Sequence, residues 1–248
     1  MTGRKSKVHW YNRAVHIYFI RHGQSENNIL EGRDDYRQKR TEDPGLTDLG
    51  SRQVEAVAHW FESPEGPRAD VVYSSLHRRA LQTGSRIAEA AGLEHEGMLE
   101  IHEGGGIVRW DDDRSEFVGS AGLSHAELQL EFPRFKIPEN AHPDGWWRFQ
   151  ELESRSRLAD RAAEALEMLR SRHEHEHVVL VSHYLFYVYF MRALLGVGDE
   201  VWFALHNCAC SCLDLSARHT RVLYLNREDY LPGDLRSATP YPAAAHSS

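Results

Sequence analysis

Short β-prone runs alternate along this chain with stretches of helical periodicity, and that alternation limits the fold more than any other feature. His16–Ile20 is apolar and aromatic, Asp70–Tyr73 is short and valine-rich, and Val178–Val181 is three valines around a leucine. Two more runs, Ser211–Leu215 and Val222–Leu225, follow late in the chain. The intervening segments repeat their apolar residues at helical spacing. Val54, Val57, Ala58 and Phe61 follow the N-cap candidate Thr47, a second helix is expected from Leu76 to Ala91, and a third from Phe149 to Arg170 carries Leu158, Ala162, Ala165, Leu166 and Leu169 on one face. Strands that alternate with helices build a largely parallel sheet covered on both faces. The expected fold is therefore α/β, a three-layer domain with a central, mostly parallel sheet flanked by helices.

In such sheets the loops at the carboxyl ends of the strands carry the chemistry. Here three strand ends are polar: His16–Ile20 runs into Arg21-His22-Gly23, Asp70–Tyr73 into Ser74-Ser75, and Val178–Val181 into Ser182-His183. Gly23 lets the backbone approach a ligand closely, and Arg21 sets a permanent cation beside an imidazole. A histidine that attacks phosphorus needs a neutral ring nitrogen, which nearby cations favour. Phosphoryl transfer also calls for positive charge around the equatorial oxygens, and the planar fork of arginine donates to two of them at once. Arg21 and Arg79 suit that task, His183 adds a donor if protonated, and Ser25 and Asn28 offer neutral hydrogen bonds from the loop after His22.

Read in order, the blocks Arg21-His22-Gly23-Gln24-Ser25, Leu46-Thr47-Asp48-Leu49-Gly50, Tyr73-Ser74-Ser75 through Arg79-Ala80-Leu81-Gln82-Thr83, Ile101-His102-Glu103 and Val181-Ser182-His183 resemble the histidine phosphatase superfamily, the phosphoglycerate-mutase-like clan, over roughly residues 16–225. The resemblance implies that His22 takes the phosphoryl group as a phosphohistidine, which water hydrolyses. It also implies a carboxylic acid that protonates the leaving oxygen, and no metal or cofactor. Glu103 is placed in that role because of its separation from Arg79 and the Gly104-Gly105-Gly106 turn after it; Glu100, four residues before Gly104, is a rival. The chain departs from the family at Tyr184, where glycine is usual, and at Gln24, where glutamate is commoner.

Two readings share the site. Mutases of the family carry an Arg-His-Tyr-Gly run directly after the acid, and three glycines stand there instead, which favours a phosphatase of phosphate monoesters over a phosphoryl-transfer isomerase. A module that merely binds phosphorylated ligands is the third possibility, but it has no need of a nucleophile.

Charge and hydropathy exclude other classes. A net charge of −8 disfavours nucleic acid as a partner, because that binding relies on neutralising phosphates with Lys and Arg. The partner expected instead is a small phosphorylated molecule. Val178–Leu195 is nearly continuous in apolar and aromatic residues, yet Ser182, His183 and Arg192 interrupt it, so a buried strand, a catalytic turn and a core helix over Leu185–Leu194 fit better than a membrane span. The basic start, Met1 to Lys7, leads into His9, Asn12 and Arg13 rather than an apolar signal core, and a cytoplasmic location is expected. Cys208, Cys210 and Cys212 alternate as small hydrophobes on one side of a strand rather than as metal ligands, and His173-Glu174-His175-Glu176-His177 reads as a solvated turn.

One catalytic domain is expected over residues 1–231. Within it, residues 107–148, with Trp110, Arg114, Lys136, Trp146, Trp147 and Arg148, show no clean period and are expected to form an insertion over the pocket; a surface excursion is the plainer alternative. Residues 232–248 are expected to form a loose tail. The polar connection 31–45 carries Arg33, Arg37, Lys39 and Arg40, suited to a multiply charged anion, but also Asp34, Asp35, Glu42 and Asp43, which can balance them on a solvated loop.

Overall fold

The alternation resolves as expected in the computed structural model, which describes residues 14–147, 151–216 and 219–237. In chain order the elements are β1 (Ala14–Arg21), α1 (Tyr36–Lys39), α2 (Asp48–Glu62), β2 (Val71–Ser74), α3 (Arg78–Ala91), β3 (His95–Gly97), β4 (Val108–Asp111), β5 (Glu116–Gly119), α4 (His125–Glu131), β6 (Phe135–Lys136), α5 (Arg155–Arg172), β7 (His177–Ser182), α6 (Tyr184–Leu195), β8 (Cys210–Ser216) and β9 (Thr220–Arg227). Seven strands form one sheet in the order β6-β3-β2-β7-β1-β8-β9. The first five run parallel, while β8 and β9 are added antiparallel.

Burial on both faces explains why the central strands read as continuous apolar runs. From β1 and β7, Val15, Ile17, Phe19, Val178 and Leu180 pack against α5 and α6 through Leu158, Leu166, Phe186 and Phe190. Ile20, Val72, Val179 and Val181 face the opposite side, against Val54, Val57 and Phe61 of α2 and Ala80 and Ile87 of α3. Phe19 sits at the centre of the first layer, fully buried, with the rings of Tyr187, Phe190 and Phe186 at 4.9, 5.6 and 6.2 Å.

Several boundaries differ from the sequence expectation. The second helix starts at Arg78 rather than Leu76, with His77 as its N-cap. The third starts at Arg155, because Ser154 caps it by accepting a hydrogen bond from the Arg157 amide; residues 149 and 150 of the expected helix lie outside the described residues. Residues 107–147 fold into the β4–β5 hairpin, α4 and β6. Ile107, Leu123, Leu128, Trp146 and Trp147 form a third apolar cluster with Leu76 and Leu81. Cys208 precedes β8 with a left-handed φ of 56°, so the strand alternation begins at Cys210. All three thiols are free and buried, and burial pushes them upward, Cys212 to about 11.

His173 is buried rather than solvated, bonded to Glu176 at 2.8 Å, and His177 opens β7, its ring stacked on His16. The start of the expected tail is also held in place: Leu235 is buried, its carbonyl accepts from Gln53 Nε2 at 2.7 Å, and Ser237 bonds Asn207. Residues 238–248 lie outside the described residues. The apolar stretch from Val178 divides into β7 and α6, and among the described residues no helix is long and apolar enough to cross a membrane.

Candidate active site

Three neighbouring strands, β2, β7 and β1, end on one edge of the sheet, and parallel pairing brings their following residues together. His22 follows β1, Ser75, His77 and Arg79 follow β2, and His183 follows β7. A cavity of about 680 Å³ opens there, lined by Arg21, His22, Ser25, Asn28, Arg79 and Glu103 among others.

His22 is buried, and its two ring nitrogens have different partners. Nδ1 lies 2.7 Å from the Gly23 carbonyl, which only accepts, so Nδ1 carries the proton. Nε2 faces Arg79 Nε at 3.0 Å, which only donates, so Nε2 presents its lone pair. Burial, then the charges of Arg79 and Arg21, holds the ring well below the usual histidine value, in its neutral form. His183 is arranged likewise: Nδ1 accepts from Arg79 Nη2 at 3.1 Å and Nε2 meets Ser75 Oγ at 2.6 Å, with burial the main cause of its lowered pKa. The two imidazole centroids are 5.0 Å apart, and Arg79 bridges them.

Arg21 is buried, donates to the Leu205 carbonyl at 3.1 Å and has its guanidinium carbon 5.5 Å from the centre of the Tyr184 ring. Tyr184 thus lines the cavity against a site arginine. Glu103 sits at the start of α6, where helix amides lack intrahelical partners. Its carboxylate accepts from the amides of Gly104 at 2.8 Å, Phe186 at 3.1 Å and Leu185 at 3.4 Å. Glu100 lines a different cavity, with Asn140, Trp146 and Arg161. Ser25 and Asn28 line the first cavity but are bound to each other: Asn28 Oδ1 accepts from the Ser25 amide at 3.0 Å and from Ser25 Oγ at 3.1 Å.

The remaining motif residues brace the loop after β1. Thr47 caps α2 and donates its amide to the Gln24 carbonyl at 2.9 Å, while Gln53 accepts from the Gln24 amide at 2.8 Å. Thr83 accepts from the Gly23 amide at 3.2 Å and donates to the Arg79 carbonyl at 2.8 Å.

Sequence reasoning missed two residues of this centre. His77, buried, has Nδ1 3.4 Å from Arg79 Nη1 and 3.5 Å from Asp43 Oδ1, with its ring centroid 4.6 Å from that of His183. It lies inside the Ser74-to-Thr83 block, two residues before Arg79, and that position was the available signal. Asn207, also buried, donates to the His22 carbonyl at 3.1 Å and to Asn28 Oδ1 at 3.3 Å. It stands in an irregular stretch with no local pattern to mark it. Among the described residues no group of three His, Cys, Asp or Glu is placed to hold a metal ion.

The model of the histidine phosphatase superfamily (branch 1) matches residues 17–228. The chain belongs to that superfamily. Phosphoserine phosphatase 1 of Hydrogenobacter thermophilus is 29% identical over 219 residues, covering 86% of this chain and 92% of the relative. Among solved structures, a phosphoserine phosphatase of Entamoeba histolytica in complex with phosphoserine superposes with a TM-score of 0.59 at 19% identity, over 88% of this chain and 100% of that one. A mycobacterial glucosyl-3-phosphoglycerate phosphatase gives 0.56 at 21% identity, over 87% and 100%. The solved structures share the fold of a mostly parallel sheet between helices.

Proposed function

We propose that this chain hydrolyses a phosphate monoester through a phosphohistidine on His22, with Glu103 as the proton donor. The observation that carries this reading is the state of His22: a buried neutral ring whose proton is fixed on Nδ1 and whose Nε2 lone pair faces Arg79 in the cavity. Arg79 occupies the place the phosphate would take. When the substrate enters, the guanidinium moves from Nε2 to the phosphate oxygens, and the lone pair is released toward phosphorus. Arg21 donates from the other side. An arriving dianion raises the proton affinity of His183, which then adds a charged donor.

Nε2 attacks phosphorus, the phosphorus–oxygen ester bond breaks, and the leaving oxygen takes its proton from Glu103. Water then attacks the phosphohistidine while Glu103 accepts its proton, which releases inorganic phosphate and the free ring. Ser25, Asn28 and Asn207 keep the loop after β1 in place beneath this exchange. The charge needed around the phosphoryl oxygens comes from side chains, so the scheme uses no metal ion, and activity in the presence of chelator is expected. Phosphoserine and 3-phosphoglyceric acid, each bound in a solved structure of an Entamoeba histolytica phosphoserine phosphatase, make a small phosphorylated molecule the expected partner. Hydrogen bonds to Ser75 and Arg79 keep His183 oriented before substrate arrives.

The test is chelator-treated hydrolysis of a panel of phosphate monoesters by wild type and His22→Ala, including 3-phosphoglycerate with its bisphosphate primer. Phosphate release by the wild type and its loss in the variant are expected. Release retained by His22→Ala would remove the nucleophile, isomerisation without net release would make the chain a mutase, and silence on every compound would favour a binding module.

A further inference from the structure

The connection between the loop after β1 and α2 holds four cations, and three have local partners. Arg33 and Lys39 both reach Asp35, each at 2.8 Å, and Arg37 lies over the Trp110 ring at 5.1 Å. Arg40 is different. It turns into the cavity that holds His22 and Arg79, and no carboxylate lies within ion-pair distance of it among the described residues. Arg192, another cation on the cavity wall, is paired with Asp199 at 3.0 Å, and the wall residue Glu31 bonds Asn28 at 2.7 Å.

Arg40 is held firmly despite its unanswered charge. Nη1 donates to the Val108 carbonyl at 2.7 Å, and the guanidinium carbon lies 5.0 Å from the Phe117 ring centre and 5.7 Å from that of Tyr36. Its Nε is buried and meets no acceptor. A guanidinium anchored by one nitrogen, packed by two rings and stripped of part of its water is costly unless something answers its charge. The wall it stands on is built from α1 and the β4–β5 hairpin, which contribute none of Arg21, His22, Arg79 or His183. It is nonetheless close to the chemistry: after burial itself, the Arg40 charge is among the influences that push Arg79 and His77 down.

Resting on the phosphatase reading above, we propose that Arg40 is a specificity residue that binds a second anionic group of the substrate, a carboxylate or a second phosphate, while Arg21, Arg79 and His183 hold the ester phosphate. The substrate class is therefore a phosphate monoester with a further anion. The cavity volume, about 680 Å³, lies within the range that accommodates an organic body between two charges, and Tyr36, Phe117 and Val108 supply apolar contact beside the second one. A charged hydrogen bond of this kind is worth roughly ten- to a hundredfold in kcat/KM.

The experiment measures kcat and KM of the full chain on two matched pairs: glycerol 3-phosphate against 3-phosphoglycerate, and fructose 1-phosphate against fructose 1,6-bisphosphate. The first pair adds a carboxylate close to the ester, the second a phosphate further away. Wild type is expected to prefer the doubly anionic member of at least one pair by roughly ten- to a hundredfold, chiefly through KM. In Arg40→Gln that ratio falls to near one, and in Arg40→Lys, which keeps the charge and a donor for the Val108 carbonyl but loses the fork, it falls part of the way. A ratio unchanged in Arg40→Gln while both members decline alike would make Arg40 part of the ester-phosphate clamp and overturn the proposal. Wild type that releases phosphate from these esters without preference would overturn it and leave the phosphatase reading standing. If wild type releases phosphate from none of them, the phosphatase reading fails and this proposal falls with it.

Discussion

Gly23 and Gly50 face each other so closely that a β-carbon on Gly23 would lie 2.7 Å from the Gly50 carbonyl oxygen, and one on Gly50 would overlap the Gln24 carbonyl. The loop bearing the proposed nucleophile is therefore pressed onto the first turn of α2, and two distant motifs, Arg21-His22-Gly23 and Leu46 to Gly50, are parts of one contact. Alanine is a better helix former than glycine by about 1 kcal/mol, so propensity alone would favour Gly50→Ala. Overpacking against the backbone typically costs ~1–3 kcal/mol and dominates here. Thermal unfolding of Gly50→Ala is expected several degrees below wild type, with kcat/KM reduced by displacement of His22. An unchanged or raised Tm would show that the loop and helix are not in this contact.

Glu103 and Glu100 separate cleanly in space, and their substitutions should separate in kinetics. Glu103→Gln is expected to slow an alkyl phosphate by about 10²–10⁴ in kcat, the usual worth of a positioned acid. The effect on an aryl phosphate, whose leaving group needs little protonation, should be far smaller. Glu100→Gln, in a neighbouring cavity, should leave both rates near wild type. The opposite pattern would transfer the acid role to Glu100.

Buried histidines make the fold sensitive to acid. Burial holds His22, His77, His102 and His183 well below the usual histidine value and lowers His95 to about 3. In the unfolded chain each takes a proton near pH 6.5 while the folded form does not, so stability is complete above that pH and is lost as pH falls below it. Asp43 acts in reverse. Burial pushes it up to about 6, so below that pH the folded form keeps a proton that the unfolded chain, at 3.8, releases, which offsets one histidine. Near pH 5, unfolding should therefore take up about four protons, a slope on the order of 5 kcal/mol per pH unit. Denaturant titrations between pH 7 and 5 read that slope directly; equal stability across the window would mean these rings are charged in the native state.

The sequence made the sheet legible where burial is two-sided. Val178–Val181 has no polar face and so reads as a buried strand, and His16–Ile20 reads as a strand from its β-prone residues although His16 and Tyr18 share one half-buried face. The short strands at one side of the sheet escaped because β3 and β6 hold three and two residues, too few to establish a period. The site was legible where chemistry is bunched, at Arg21-His22 and along Arg79 to Thr83. It was not legible at Asn207, whose side chain meets the His22 carbonyl across 185 residues of chain, nor at His77, whose environment of Arg79, Asp43 and His183 exists only after folding. The connection 31–45 was ambiguous for a related reason. Composition cannot tell that Asp35 satisfies Arg33 and Lys39 while Arg40 turns inward.

The covalent step on His22 is tested most directly by trapping it. Wild type and Glu103→Gln mixed with an aryl phosphate, quenched in alkali within milliseconds and digested, should yield a peptide carrying one phosphoryl group on His22, stable to base and lost in acid. Its amount should be greater in Glu103→Gln, where the water that hydrolyses the intermediate lacks its base. Turnover with no phosphorylated His22 peptide at any time, or with phosphate on another residue, would contradict a phosphohistidine at this position.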